Sequence, residues 1–255
     1  MSRLNGKTAI IIGANSGIGK ATALLFAQEG AKLVLGARRA DKLYEVEAAI
    51  REMGGEVVAV PCDVSKAEEV DALIGACMEH YGKIDILVNA AGIQAKIIQT
   101  IANCELDDQF DQIMAVNAKG PYLTCRAALQ HMIPAQSGSI VNISSVSGQG
   151  DARYSISKGG VIALTKHIGI IYADRHIRCN AVCPGATITP MIAANMRGEG
   201  ADPELIEEMA KHTESCTEVG LNTPEDVASN ILFFASDESH NLNGQIVSAD
   251  FGSSL

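Results

Sequence analysis

Apolar positions in this chain fall into two alternating patterns. Short runs rich in β-branched residues recur at Thr8–Ile12, Lys32–Leu35, Val57–Val60, Ile84–Val88, Ser139–Ile143, Arg178–Val182 and Gln245–Ser248. Longer stretches of helical periodicity lie between them, near 17–29, 41–53, 66–81, 106–132, 154–173 and 224–236. Several of the short runs are apolar nearly throughout, as strands covered on both faces should be. The alternation predicts an α/β chain, doubly wound: a parallel sheet of seven strands with helices on both faces. No repeat, low-complexity linker or composition break divides it, so residues 1–255 read as a single domain. The stretch from about 190 to 222 departs from the rhythm. It holds Gly198-Glu-Gly200, an amphipathic piece from Pro203 to His212, and the apolar residues Met191, Ile192, Met196, Leu205, Ile206 and Met209. Long insertions in compact domains are often lids or binding loops, and we read this one as a substrate lid.

Composition narrows the partners. Hydrophobic residues make up 47% and charged residues 20%, enough apolar material for a large core. The net charge of −10 argues against nucleic acid or an anionic membrane surface as the main partner. Met1 to Lys7 runs straight into the first strand, and that apolar run is too short for a leader or a membrane span. Seven cysteines (62, 77, 104, 125, 179, 183 and 216) are scattered through apolar stretches without Cys-x-x-Cys, and no histidine completes a zinc pattern with Cys179 and Cys183. That usage suits reduced thiols in a cytoplasmic protein, with no metal centre.

Candidate chemistry begins at the end of the first strand. Gly13-Ala-Asn-Ser-Gly17-Ile-Gly19 separates that strand from the first helix, where glycines let backbone approach a pyrophosphate and the helix N-terminus offers free N–H groups. After the second strand, where a carboxylate would hold the ribose 2′-hydroxyl of NAD, stands Gly36-Ala37-Arg38-Arg39. Two guanidiniums suit a 2′-phosphate, so the reading favours NADP over NAD. Further on, Tyr154-Ser-Ile-Ser-Lys158 places a phenol and an ammonium four residues apart, on one helix face. A neighbouring positive charge is expected to lower the tyrosine pKa and fit it for proton exchange with an alcohol or carbonyl oxygen.

Together these residues resemble the short-chain dehydrogenase/reductase family, and the resemblance covers essentially the whole chain. The glycine-rich turn (Gly13, Asn15, Ser16, Gly17, Ile18, Gly19) matches the family's, with Ile12 where threonine is usual. Asp63-Val64 matches the pair that contacts adenine, and Asn89-Ala90-Ala-Gly92 matches the Asn-Asn-Ala-Gly segment. Asn117 matches the helix asparagine of the family's proton relay. Ser144 and Ser145 both end the fifth strand; register with that strand favours Ser145 as the catalytic serine, beside Tyr154 and Lys158. Pro184-Gly185, Thr187 and Thr189 fit the segment that cradles the nicotinamide, although Thr187 stands where an apolar residue is usual. Ser145 and Tyr154 are nine positions apart against about a dozen in the family, so one wall of the substrate site should be lower or differently placed, with Asp151-Ala-Arg153 at its end. The ending Ala249-Asp250-Phe251-Gly252 also departs modestly from the family's Val-Asp-Gly-Gly.

The resemblance implies a Rossmann-type fold and hydride exchange between a nicotinamide and a ketone or secondary alcohol. Tyr154 would be the acid or base, Lys158 its tuning charge and a ribose contact, and Ser145 would orient the substrate oxygen. Asn117 would link the lysine to solvent. A reductase of carrier-protein-bound 3-oxoacyl thioesters is an alternative, but Ala127–Gln136, near the site mouth in relatives, carries no Lys or Arg for an acidic carrier. A non-catalytic NADP-binding sensor or scaffold is another, set against the complete Asn117, Ser145, Tyr154 and Lys158 group. The expected substrate is therefore a free small molecule. The resemblance also implies a homo-tetramer or dimer, with the helices near 106–132 and 154–173 at one interface.

Overall fold

After Thr8, the run Ala9-Ile-Ile-Ile12 is wholly apolar, and it becomes β1 (Thr8–Ile12), buried at every position. The computed structural model describes residues 2–95, 100–102, 108–146, 151–191, 207 and 220–253. Around β1 are β2 (Lys32–Ala37), β3 (Val57–Pro61), β4 (Ile86–Asn89), β5 (Gly138–Ile143), β6 (Ile177–Pro184) and β7 (Ile246–Ala249). All pair in parallel, in the order β3-β2-β1-β4-β5-β6-β7. The helices are α1 (Gly17–Gln28), α2 (Ala40–Glu52), α3 (Ala67–Tyr81), α4 (Asp108–Met114), α5 (Gly120–Ala135), α6 (Ala152–Ile171) and α7 (Pro224–Ala235).

Alternate strand residues serve opposite layers. Ala9, Ile11, Leu33, Leu35 and Val141 pack against Phe26 of α1, Leu43 and Val46 of α2, and Val227 and Ile231 of α7. Ile10, Ile12, Val34, Leu87 and Ile140 pack against Leu73 and Cys77 of α3, Leu123 and Met132 of α5, and Ile168 of α6. Each fully buried side chain of this kind contributes about 1.5–3 kcal/mol. Local signals set the ends. Thr223 and Asp226 form a reciprocal capping box that starts α7, and Gly82 at φ 71° stops α3.

Differences from the sequence pattern have local causes. The strand expected from Ile84 begins at Ile86, because Asp85 turns its carboxylate to the Thr8 N–H at 2.7 Å and to Lys83 Nζ at 2.8 Å. β2 runs on through Gly36 and Ala37, which pair with Val60 and Pro61. A side chain at Gly36 would collide with Leu73, whose Cδ1 lies 2.3 Å from the Cβ position, so α3 sits directly on this strand. The helix expected over 106–132 contains a π turn at Ala115–Lys119 between α4 and α5. Most of the expected lid, including Gly198-Glu-Gly200 and Pro203–His212, lies outside the described residues. Its roots do not: Thr187 and Asn222 form a parallel bridge, and the Asn222 side chain donates to Ala249 O at 2.7 Å.

No helix among the described residues is long and apolar enough to cross a membrane. Among them too, no cluster of three or more His, Cys, Asp or Glu could hold a metal ion. Cys62, Cys77, Cys125, Cys179 and Cys183 are all buried and unbridged. Burial pushes the Cys62, Cys77 and Cys125 thiols up to about 12, from an ordinary value of 9.0. The unfolded chain therefore releases these protons near pH 9 while the native chain holds them. Native stability should fall as pH rises from about 9 towards 12. Urea midpoints measured across that range in reductant should drop, and in native protein near neutral pH these five thiols should resist an aromatic disulfide reagent. Rapid labelling of all seven cysteines without denaturant would contradict the burial.

Candidate active site

The strand order reverses between β1 and β4, and the loops leaving these two strands open a crevice at their C-terminal ends. On the β1 side Gly13 (φ 82°) makes the tight turn, where a Cβ would lie 2.6 Å from Ala91 N. Gly19 lets α1 close on that turn; its Cβ position is 2.2 Å from Gly13 O. Gly17 (φ 51°) is the open one, with the Thr189 methyl at 3.3 Å as its nearest neighbour outside the turn. The three glycines thus supply a tight turn, an accessible backbone and close helix–strand contact, an arrangement that fits a pyrophosphate at the start of α1.

Arg39, at the start of α2, folds back over this turn. Its Nη2 donates to Ser16 Oγ at 2.9 Å. The Asn15 amide, turned oxygen-first by its hydrogen-bond pattern, accepts from Nε at 2.7 Å and Nη2 at 3.0 Å. Arg38 lies on the side of Asp63. Burial works against the Asp63 carboxylate, but bonds from the Ser65 hydroxyl and N–H, with the Arg38 charge, hold it below the ordinary range. Val64 packs against Gly120 at the head of α5.

On the β4 side, Asn89 turns its side chain inward. It donates to Asn142 Oδ1 at 2.9 Å and accepts from Thr124 Oγ1 at 2.7 Å, so a ligand contact from Asn89 would come from its backbone. Ala90 continues from the strand through its N–H to Ile12 O. Gly92 lies where Lys158 Nζ and Asn117 Oδ1 converge, at 3.5 and 3.6 Å from its Cβ position. Asn117, fully buried in the π turn, clasps Ile93 in both directions at 2.8 Å and donates to Ser157 Oγ at 3.1 Å. Such π turns recur at functional sites because they re-aim one side chain within a helix.

β5 and α6 bring the remaining residues together. Ser144 is buried and donates to Lys158 O at 2.9 Å, tying strand to helix. Ser145, next in the chain, hydrogen-bonds the Tyr154 phenol. Lys158 Nζ lies 5.7 Å from the Tyr154 ring centroid and donates to Ile143 O at 2.8 Å. Burial pulls the Lys158 ammonium down to about 8, with Cys183 opposing. The phenol moves the other way from the sequence expectation. Burial pushes Tyr154 up to about 12, and the Ser145 hydrogen bond offsets only part of that. The ammonium is directed at a backbone carbonyl, which leaves the desolvation of a phenolate as the larger effect.

The third wall follows β6. Gly185 N–H donates to Ala249 O at 2.9 Å, and Val146 N–H reaches Pro184 O at 3.4 Å. Thr187 is buried and returns its hydroxyl to Gly185 O at 2.9 Å, while Thr189 faces Gly17 across the crevice.

Two features here escaped the sequence reading. Cys183 contacts Ser144 and the Ser145 N–H beneath Lys158, and nothing in its spacing signals this. Asp151 and Arg153 form a buried ion pair at 2.6 Å, each side chain 4% exposed, at the N-terminus of α6. An Asp just before a helical run is an N-cap signal that could have found the first of them.

Comparison with known proteins follows the same outline. A family profile described as enoyl-(acyl carrier protein) reductase matches residues 13–254. The chain is 37% identical to a 3beta-hydroxysteroid dehydrogenase of Mediterraneibacter gnavus, over 99% of this chain and 96% of that protein. It is 38% identical to a 3-oxoacyl-(acyl-carrier-protein) reductase of Thermotoga maritima, over 98% of each. The crystal structure of a levodione reductase superposes with a TM-score of 0.90 at 32% identity, over 99% of both chains.

Proposed function

The chain belongs to the short-chain dehydrogenase/reductase family, and from that premise we propose an NADP-dependent enzyme that interconverts a ketone and a secondary alcohol on a free small molecule, through Ser145, Tyr154, Lys158 and Asn117. Membership of the family carries NAD(P)-dependent oxidoreduction. Proton transfer at these four residues is supported by the convergence of Tyr154, Ser145 and Lys158 on the crevice that the glycine turn also lines. NADPH, when bound, supplies the hydride from its nicotinamide. The chain's own part is the proton. With the Tyr154 phenol up at about 12, it is fully protonated at neutral pH, the form needed by a general acid in carbonyl reduction. Ser145, bonded to that phenol, would hold the carbonyl oxygen beside it. Lys158 and Asn117 meet at Gly92 and would hold the ribose side of the crevice.

Arg39 over the glycine turn and Arg38 beside Asp63 support NADP. The carrier-protein reading has the Thermotoga relative in its favour. Against it, Ala127–Gln136 has no cation, and Arg126 just before it already faces Asp71 at 3.6 Å. A hydroxysteroid or its ketone is the first free substrate to try, given the Mediterraneibacter relative. A homo-tetramer or dimer is supported by exposed Tyr122 on α5 and by an exposed stripe of Ile156, Gly159, Gly160, Ala163 and Ile170 on α6. Residues 190–222 would cover the substrate, their ends joined at the Thr187–Asn222 bridge.

The test follows NADPH and NADH absorbance over keto-steroids, keto-sugars, simple ketones and an acetoacetyl carrier protein. We expect a free ketone to be reduced with NADPH preferred. The double variant Arg38→Ala/Arg39→Ala should lose roughly 10–100-fold in kcat/KM for NADPH, with NADH little changed. Preference for NADH in the wild type would remove the NADP reading, and turnover confined to the carrier-bound thioester would replace the substrate reading.

A further inference from the structure

We propose that Asp151 and Arg153 form a positioning device that aims Tyr154: a buried, charge-locked N-cap at the start of α6. The inference rests on Tyr154 being the proton donor. Helix α6 begins at Ala152, so Tyr154 is only its third residue. The first turn is where a helix frays, since its N–H groups have no partners within the helix. A phenol placed there is aimed only as well as that turn is held.

Asp151 holds it. Its Oδ1 accepts from Arg153 N at 3.0 Å and from Tyr154 N at 3.4 Å, the two amide groups that an N-cap satisfies. Arg153 then clamps the cap. Its Nε donates to Oδ1 at 3.0 Å and Nη2 to Oδ2 at 2.6 Å, a bidentate fork that fixes the plane of the carboxylate. Asp151 is 5% and Arg153 3% exposed, far from the solvated surface pairs that contribute little to structure. Such a pair, directly before the reacting group in the first turn of α6, has a role in geometry. The cofactor side is held independently. Lys158 is one turn further along, anchored by Ile143 O, and its own carbonyl is bonded by Ser144.

The device therefore separates chemistry from cofactor binding. Asp151→Ala removes the cap and Asp151→Asn keeps an acceptor, while both deprive Arg153 of its carboxylate. We expect kcat in Asp151→Ala to fall at least tenfold, with Asp151→Asn recovering part of it through the cap and the remaining deficit measuring the lost Arg153 clamp. The Kd of NADPH, read by cofactor fluorescence, should stay within about twofold in both. If Asp151→Ala does not fold, the same comparison is made between Asp151→Asn and Asp151→Ala on an Arg153→Met background, where the guanidinium is gone. Equal kcat in the Asn and Ala variants, or parallel loss of kcat and NADPH affinity without rescue by Asn, would overturn the proposal. Tyr154→Phe, run alongside, separates the two failures: if it keeps wild-type activity, the assignment of Tyr154 fails. If it alone is impaired and both Asp151 variants are not, only the positioning role does.

Discussion

Tyr154→Phe should lower kcat by roughly 10²–10⁴-fold, the usual contribution of a positioned proton donor, and leave the protein folded. The substitution removes one oxygen and keeps the ring that faces Lys158. What disappears is the hydrogen bond with Ser145 and the proton that the emerging alkoxide would take. Cofactor affinity should change little, because the glycine turn, Arg39 and Lys158 are untouched. A coupled measurement of NADPH-dependent ketone reduction and NADPH binding would show the split. Equal turnover in the two proteins would sink the role assigned to Tyr154. In the reduction direction the wild-type rate should hold at neutral pH and decline above about 8, where the Lys158 ammonium loses its proton, while the phenol stays protonated towards about 12.

Lys158→Met should impair turnover as severely and stabilise the fold at the same time. The ammonium is held down to about 8 by burial against an ordinary value of 10.5. At neutral pH it is nonetheless charged, and the difference corresponds to about 3 kcal/mol of desolvation carried by the native state. Methionine removes that burden and also the bond to Ile143 O, so a net gain of about 1–2 kcal/mol is expected below pH 8. Between about 8 and 10.5 the native chain has released the proton while the unfolded chain still binds it. The Lys158 contribution to wild-type stability therefore rises across that window, and the advantage of the variant shrinks. Denaturation midpoints of both proteins at a neutral pH and near the upper end of the window would decide it. A variant less stable than wild type at neutral pH would mean that the bond to Ile143 outweighs desolvation. The buried thiols act in the opposite sense from about 9 upward, so the comparison between proteins is the informative one.

Much of this was legible beforehand. Alternation of short apolar runs and amphipathic stretches is a direct record of a sheet covered on both sides, and all seven runs became strands. Gly13, Gly17 and Gly19 were readable because the lack of a side chain is itself the signal. Electrostatics was less legible. The sequence puts Lys158 one turn from Tyr154, but it does not say that the ammonium points at Ile143 O or that burial of the phenol prevails. Asn89 shows the same limit, since its inward partners Asn142 and Thr124 are remote in sequence. The Asp151–Arg153 pair was visible as two charges, and its burial could not be inferred from composition.

The π turn at Ala115–Lys119 makes the length of the chain at this point as restrictive as its chemistry. Excising a single residue here would let Asp108–Met114 and Gly120–Ala135 join as one regular α-helix, locally the more ordinary structure. It would leave the two halves nearly in phase, because a π turn takes up its extra residue by unwinding, and would instead re-aim the side chains of the turn itself. The packing of α4 on α6 would survive, and the Asn117 clasp on Ile93 would be lost. Aligned relatives should therefore keep the residue count between α4 and α5 even where they change the residues. One that has dropped a position should have recruited its asparagine from somewhere else.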